Sequence, residues 1–574
     1  MATTQAMGRV GPIEGAIVGT SSEVGTTGDS GDTGDTGDTG DSTATGGAGG
    51  PGTMTRTVAG IIRHWATETP DAPMLSDEHR SLTWSEVFGR ACRVARALAA
   101  EGVGPGDRVA FLDRNSIEYF EVLFGCALVG AVDVALNWRL APAELTVIVD
   151  DSDALVLLAG PDYEATAKEI LAGAPGVRRL VHLDAYDAWL DEQAPGRAPD
   201  PGHVADGGDV VIQLYTSGTT GLPKGVMITN DNITCILTEA ERVFRIDNDT
   251  VSMVAMPLFH IGGAGWALAG MSHGGHSVVI RDLDPVVVLR AIEHHRITES
   301  FVVPVLLMFL LATPELATTD VSSLRTVFYG AAPISEDLLV RSMAALGCDF
   351  AQVYGLTETT GAITSLLPED HDPDGPRAHL LRSAGRPFDH VELRIVDTDT
   401  GEEVPTGEVG EIWTRSDQNM LGYWKKPEET AAILSDDGWF RTGDAGWLDE
   451  EGFLFLHDRI KDMIVSGGEN VYPAEVENAL LAHPAVADAA VIGVPDDRWG
   501  ETVKAIVVRT PEAATADTDE LTTDIIAFTR DRLAHFKCPT SVDYTDVLPR
   551  NPSGKILKRE LRAPYWEGRE RNIS

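Results

Sequence analysis

From Met54 onward the chain alternates between two hydrophobic rhythms, and that alternation decides the fold class. "SLTWSEVFGRACRVARALAAEGV" repeats apolar residues at helical spacing, with Thr83 or Ser85 placed to cap it. "GDRVAFLD" is a short apolar run, "NSIEYFEVLFGCALVGA" is helical again, and "VDVALN" is a second short run. "DALVLLAG", "RRLVHLD", "GHSVVIRD" and "ESFVVPV" continue the pattern, separated by helical stretches. Runs that are apolar throughout suit strands covered on both faces, which the crossover helices of a parallel sheet provide. Near residue 385 the rhythm changes: "HVELRIVDTDTGEEVPTGEVGEIWTRS" alternates and is broken by Gly and Pro turns. After "DRIKDMI", the stretch "AEVENALLAHPAVADAAVIGVPDD" reads as a helix and then a strand. The predicted class is therefore α/β. A large N-terminal domain of parallel-rich sheets with helices carries a small β unit, and a small mobile α+β C-terminal domain follows.

A length of 574 residues exceeds one ordinary core. The expected division is a tail at 1–53, an N-terminal domain at 54–460 and a C-terminal domain at 461–574. The tail is rich in Gly, Thr, Ser and Asp, with the tandem "GDTGDTGDTGDS". Such a composition buries too little apolar surface to offset backbone ordering, so the tail is read as disordered. A calcium repeat would need a periodic apolar residue, which is missing. "MTRTVAGIIRHWATETPDAP", from Met54, reads as a domain start.

The formal net charge of −43 excludes nucleic acid and anionic lipid as general partners. Any anionic ligand must be met by local cations, a metal or backbone N–H groups. Five cysteines without C-x-x-C spacing argue against a disulfide framework or structural zinc, and fit a reducing, cytoplasmic setting. The apolar run "FVVPVLLMFLLA" is too short to span a membrane and contains Pro304. His273, His276 and the pair His294–His295 have no third ligand nearby and are read as surface histidines. The closing "KILKRELR" is read as a basic helix with a solvated face.

"YTSGTTGLPKG", Tyr215 to Gly225, gathers glycines, hydroxyls and a lysine after the apolar "DVVIQL". It fails as a P-loop. Pro223 stands where the second glycine is required, and Gly225 follows Lys224 where Ser or Thr is required. The logic of phosphate binding survives. Gly218, Gly221 and Gly225 permit tight turns, Thr216, Ser217, Thr219 and Thr220 offer hydroxyls, and Lys224 offers charge. Taken alone, a flexible turn remains an equal alternative.

Four further stretches accompany it: "YGLTETTG" (354–361), "WFRTGDAG" (439–446), "DRIKDMIVSGGENVYPAEVE" (458–477) and "LPRNPSGKILKREL" (548–561). In this order and at these separations they resemble the adenylate-forming superfamily of acyl-CoA synthetases, luciferases and peptide-synthetase adenylation domains. The likeness extends from about Met54 to the end. It implies an enzyme that uses ATP to convert a carboxylic acid to an acyl-adenylate and pyrophosphate, then passes the acyl group to a thiol. The expected reactants are ATP with Mg²⁺, a small-molecule acid and CoA, with a homodimer left open.

The resemblance also assigns roles. Thr216 to Gly221 and Lys224 would hold phosphates, Glu358 Mg²⁺, and Thr357 the α-phosphate. Tyr354, Gly355, Gly330 and Ala331 would border the nucleotide, with Asp444 and Arg459 at the ribose. Lys555 would neutralise charge at the α-phosphorus, Lys461 would be the hinge, and Ser466, Gly467, Gly468 and Tyr472 would line the CoA tunnel. His260 would border the carboxylate and the thiol entrance. Gly262, Ala264, Trp266 and Ala332 would border the acyl group; the small residues of these stretches leave room for a fatty or bulky apolar acid, with close helix packing an equal alternative. "LFHI" lacks the Asp with which amino-acid-activating relatives pair the substrate ammonium, so an amino acid substrate is disfavoured. Two alternatives stand: delivery to a carrier-protein phosphopantetheine, and an inactive binding protein of the same fold.

Overall fold

The computed structural model describes residues 57–217, 223–332, 334–398, 400–459, 462–466, 469–471, 473–496, 500–533, 535–550 and 556–567. The tail and the expected domain junction at 460/461 lie outside them.

Each apolar run becomes a strand of a largely parallel sheet. Among the described residues, a seven-stranded sheet orders Gly422–Tyr423, Pro223–Thr229, Val210–Ser217, Val132–Ala135, Arg108–Leu112, Ala154–Ala159 and Arg179–His182. All pairings from Val210–Ser217 to Arg179–His182 are parallel. Val132–Ala135 is buried at every position, as a strand covered on both faces must be. The covering helix Ile117–Val129 is buried at nearly every position and packs on Trp84–Ala100. Gly125 allows that approach: a Cβ there would meet Val94 Cγ1 at 2.5 Å. Helix Trp84–Ala100 starts at Thr83, whose hydroxyl accepts from Glu86 N while Glu86 Oε2 accepts from Thr83 N.

A nine-stranded sheet has the parallel centre Asp349–Leu356, Thr326–Gly330, Glu299–Val302, Val251–Val254, His276–Val279 and Pro73–Ser76. Antiparallel strands flank it: Ser81–Thr83 on one side, Gly361–Leu366 and Arg386–Pro387 on the other. His276 is no surface histidine. It opens a strand, its Nε2 lies 2.7 Å from Ser76 Oγ, and burial pushes its pKa down to about 4.

The small β unit is a four-stranded antiparallel sheet, Glu392–Val396, Gly410–Arg415, Phe440–Leu448 and Leu454–Arg459. Beyond it, helices Pro473–Leu481 and Thr518–Arg530 accompany the hairpin Val486–Asp496/Gly500–Arg509. Ile464, Val476, Leu480, Val491, Val503 and Ile525 close a separate core there. The basic segment at the end corrects its reading as a solvated face. Lys558 pairs with Glu477 at 3.0 Å and Arg562 with Asp462 at 2.8 Å, and both side chains are largely enclosed. Periodicity could not reveal this, because the partners come from distant parts of the domain.

Candidate active site

The described residues of "YTSGTTGLPKG" are strand. Val210–Ser217 turns back antiparallel into Pro223–Thr229, pairing Thr216 with Lys224 and Ser217 with Pro223. Tyr215 and Thr216 extend the ladder because their aromatic and β-branched side chains favour strand. The tip, with Gly218, Thr219, Thr220 and Gly221, lies outside the described residues, and Ser217 is described by its backbone.

The parallel strand Asp349–Leu356 ends in the turn 357–360 and returns as Gly361–Leu366. Within the turn, Thr359 Oγ1 accepts from Leu356 N at 2.9 Å, and Thr360 takes φ +52°. Glu358 projects from this turn to the other sheet. Its Oε1 accepts from Thr216 Oγ1 at 3.3 Å and from the Tyr423 hydroxyl at 2.9 Å. Its carbonyl accepts from Met420 N at 2.8 Å. Two sheets thus meet at one carboxylate, at the carboxyl ends of parallel strands, where open α/β sheets bind ligands. Both donors are neutral hydroxyls on Oε1, and among the described residues no cation is hydrogen-bonded to the Glu358 carboxylate. A half-buried carboxylate so arranged fits a hard divalent cation.

Beside it, the Lys224 ammonium lies 2.5 Å from Glu429 Oε2 and 5.0 Å from the centre of the Tyr423 ring. The Lys224 hydrogen bond holds the Glu429 carboxyl below the usual range. On the far side of the turn, the Tyr354 hydroxyl donates to Asp444 Oδ2 at 2.9 Å. Asp444 stands opposite Arg459 in the small sheet, and Arg459 is described by its backbone. Gly355 is indispensable: a Cβ would sit 1.8 Å from the Gly361 carbonyl oxygen. Gly330 ends the neighbouring strand Thr326–Gly330, and Ala331 after it holds φ +62°, a strained conformation for a residue with a Cβ.

His260 precedes helix Ile261–Ser272. Burial, with Arg139 nearby, pushes its pKa down to about 4, and Nε2 has no hydrogen-bond partner among the described residues. Near neutral pH its ring is uncharged. The small-residue helix divides the expected acyl residues. Gly262 lies against Phe301, where a Cβ would meet Cε1 at 2.9 Å. Ala264 is fully enclosed. Trp266 packs on Phe244, Phe301 and Phe328 and donates Nε1 to the Met253 carbonyl. Ala264 and Trp266, on different faces of the helix, are thus both packed into the core. Ala332 is half-buried beyond Ala331.

Ser466 ends strand Ile464–Ser466 and pairs with Glu469. Lys461, Gly467, Gly468, Tyr472 and Lys555 lie outside the described residues. Sequence reasoning missed Tyr423 and Glu429. Tyr423 lies in "LGYW", which reads as core, and Glu429 lies in "KPEET", which reads as a solvated helix start.

The AMP-binding enzyme family matches residues 62–424, and the AMP-binding enzyme C-terminal domain matches residues 475–555. A fatty acid–[acyl-carrier-protein] ligase, ScoC, of Streptomyces coeruleorubidus is 41% identical over 527 residues, 91% of this chain and 98% of its own. A feruloyl-CoA synthase of an Amycolatopsis species is 41% identical over 508 residues, 87% of this chain and 97% of its own. The solved fatty acyl CoA synthetase of Mycobacterium tuberculosis superposes with a TM-score of 0.71 at 32% identity, over 89% of this chain and 98% of that one.

Proposed function

The chain belongs to the AMP-binding enzyme family, and on that premise we propose that it is an AMP-forming acid–thiol ligase acting on a fatty or bulky apolar acid, with CoA as acceptor. A carboxylate oxygen of the acid attacks the α-phosphorus of ATP, and the bond to pyrophosphate breaks. The acceptor sulfur then attacks the acyl carbon and AMP leaves. The first step asks for alignment and charge stabilisation, with no protein nucleophile. Glu358 would hold Mg²⁺, which neutralises phosphate charge when bound. Thr216 and Tyr423 fix the carboxylate that holds it. Lys224 faces the β and γ phosphates with the hairpin tip, Thr357 the α-phosphate, Tyr354 the adenine, and Asp444 with Arg459 the ribose. Lys555 brings a compact cation to the phosphorus, and Lys461 is the hinge that lets the C-terminal domain present Lys555 or, alternately, the CoA tunnel.

The observation that carries this reading is Glu358, pinned between two sheets by neutral hydroxyls. The acid class is supported by relatives named for fatty and feruloyl acids. A second reading, transfer to carrier-protein phosphopantetheine, is favoured by ScoC, whose identity equals that of the CoA-dependent relative. Pyrophosphate release over short, long and aryl acids tests the first half. Single-turnover transfer of the resulting adenylate to CoA, against a phosphopantetheinylated carrier, tests the second. Faster transfer to the carrier overturns CoA as acceptor, and silence across the whole acid panel overturns ligase activity.

A further inference from the structure

Beneath the Glu358 turn lies a polar chain that the adenylation chemistry does not touch. His390 Nε2 is 2.6 Å from Gln418 Oε1, and His390 Nδ1 is 3.0 Å from Glu239 Oε1. Gln418 is fully buried, and its Nε2 donates to the Thr359 carbonyl at 2.7 Å and the Ala362 carbonyl at 2.8 Å. Those two residues bracket the end of the turn that carries Thr357 and Glu358.

The donors can be counted. Carbonyl oxygens only accept, so the amide nitrogen of Gln418 must face them and Oε1 must face His390. Flipping the amide would set oxygen against two oxygens. Oε1 only accepts, so His390 Nε2 carries a proton. Glu239 Oε2 already accepts from Arg242 Nε at 3.0 Å and from its terminal nitrogen at 2.6 Å, a two-donor ion-pair geometry that leaves Oε1 as the acceptor facing His390. Its Oε1 accepts, so His390 Nδ1 carries a proton too. A ring that donates from both nitrogens is an imidazolium.

The surroundings agree. Burial works against the charge, but the neighbouring Cys235 sulfur and the hydrogen bonds to Gln418 and Glu239 outweigh it and push the pKa up to about 9. Glu239, Arg242 and Cys235 face the ring from the helix Asn230–Leu237 and the segment after it. Asp389 on its own segment turns to Arg242 instead, at 3.6 Å.

We propose that His390 is a positioning residue for the Glu358 turn: its imidazolium, gripped by Glu239, locks the Gln418 amide onto the carbonyls of Thr359 and Ala362. A ring neutral at Nε2 would present a lone pair to Oε1, and Gln418 could no longer satisfy both ends. The functional consequence rests on the reading that Glu358 holds the metal.

Two measurements test this. Without metal, at pH 7.5, amide hydrogen exchange across 356–362 should quicken about 10-fold in His390→Leu, while His390→Arg, with fixed charge and several donors, restores protection. In ATP–pyrophosphate exchange, His390→Leu should raise the Mg²⁺ concentration for half-maximal rate about 10- to 100-fold and leave KM for the acid unchanged. The wild-type Mg²⁺ requirement should climb as pH passes about 9, and that of His390→Arg should not. If the variants do not fold, the wild-type profile decides alone. A folded His390→Leu with unchanged exchange and unchanged Mg²⁺ requirement, or a wild-type requirement flat from pH 8 to 9.5, overturns the proposal. A Glu358→Gln control separates the two ideas. If it leaves the Mg²⁺ requirement unmoved, the metal reading itself fails.

Discussion

Glu358 and Glu299 lie at opposite ends of the parallel strands of one nine-stranded sheet, Glu358 in the turn that follows one strand and Glu299 at the start of another. Glu299 opens Glu299–Val302, its side chain almost fully enclosed. Arg325 donates to both its oxygens, Nε to Oε1 at 2.7 Å and a terminal nitrogen to Oε2 at 3.1 Å, and Thr298 donates to Oε2 as well. The same guanidinium reaches Asp247 and the Thr250 hydroxyl. At that end one guanidinium serves two carboxylates, and both oxygens of Glu299 face it. At the other end, among the described residues, the Glu358 side chain receives the hydroxyls of Thr216 and Tyr423 and no cation. A cancelled carboxylate holds the fold together, whereas an oriented and uncancelled one is available to a cation. The two ends of one sheet have divided the labour between stability and chemistry.

Neutralising each carboxylate in turn puts that division to its strongest test. Glu358→Gln should cut adenylation by about 10²- to 10³-fold, the scale of losing one electrostatic stabiliser of a transition state, with thermal stability unchanged. Glu299→Gln should do the reverse, costing about 1–3 kcal/mol of unfolding free energy while pyrophosphate exchange by the folded fraction holds. Paired denaturant melts and exchange assays on both variants decide it, and equal losses in both assays would erase the contrast. Next in size is the cation assigned to the uncancelled end. Lys555→Ala should lower adenylate formation by about 10²-fold yet spare thioester formation from supplied acyl-adenylate. Equal loss in both half-reactions would count against that assignment.

The sequence exposed the chemical end far better than the structural one. Glu358, Lys224 and Asp444 stand in short runs whose order and separation resemble one family, and that resemblance, not the composition of any single run, marked them as candidates. Glu299, in "TESFVV", looks like a strand start and nothing more, because its meaning lies in Arg325 on another strand. The same limit hid Tyr423, which reaches Glu358 from 65 residues away, and His390, whose charge is fixed by Glu239 and Gln418. It also made Lys558 and Arg562 look solvated when both are paired. Local patterns report backbone preference and burial periodicity. They are silent on which distant donor completes an acceptor. Tyr215 and Thr216 misled in the other direction: a glycine-rich run suggested loop, and the ladder absorbed its first residues.

A smaller effect is expected from the hydroxyls that orient Glu358. Tyr423→Phe removes one of the two donors and keeps the ring beside Lys224. Adenylation should fall about 10-fold, mostly as a greater need for Mg²⁺. No change in that need would mean that Thr216 alone aims the carboxylate.

The smallest effect concerns a third carboxylate, which combines features of both ends and has the advantages of neither. Asp133 lies in Val132–Ala135, fully buried, with Oδ2 accepting from the Tyr119 hydroxyl at 3.0 Å and Oδ1 without a partner among the described residues. Like Glu358 it has a phenol for a donor, and like Glu299 it is sealed from water. Burial, only partly offset by the Tyr119 hydrogen bond, raises its pKa to about 7. In the unfolded chain the same group releases its proton near the usual carboxylate value of about 4. Between those two pH values the unfolded state binds fewer protons than the folded state, so stability falls as pH rises from about 4 to about 7, then levels off. Asp133→Asn keeps an oxygen for Tyr119 and carries no charge. Its melting temperature should match wild type near pH 4 and exceed it by a few degrees at pH 8. A variant that follows the wild-type pH slope throughout would show that Asp133 is ionised in the folded protein, and that a sealed carboxylate without a cation is tolerated here after all.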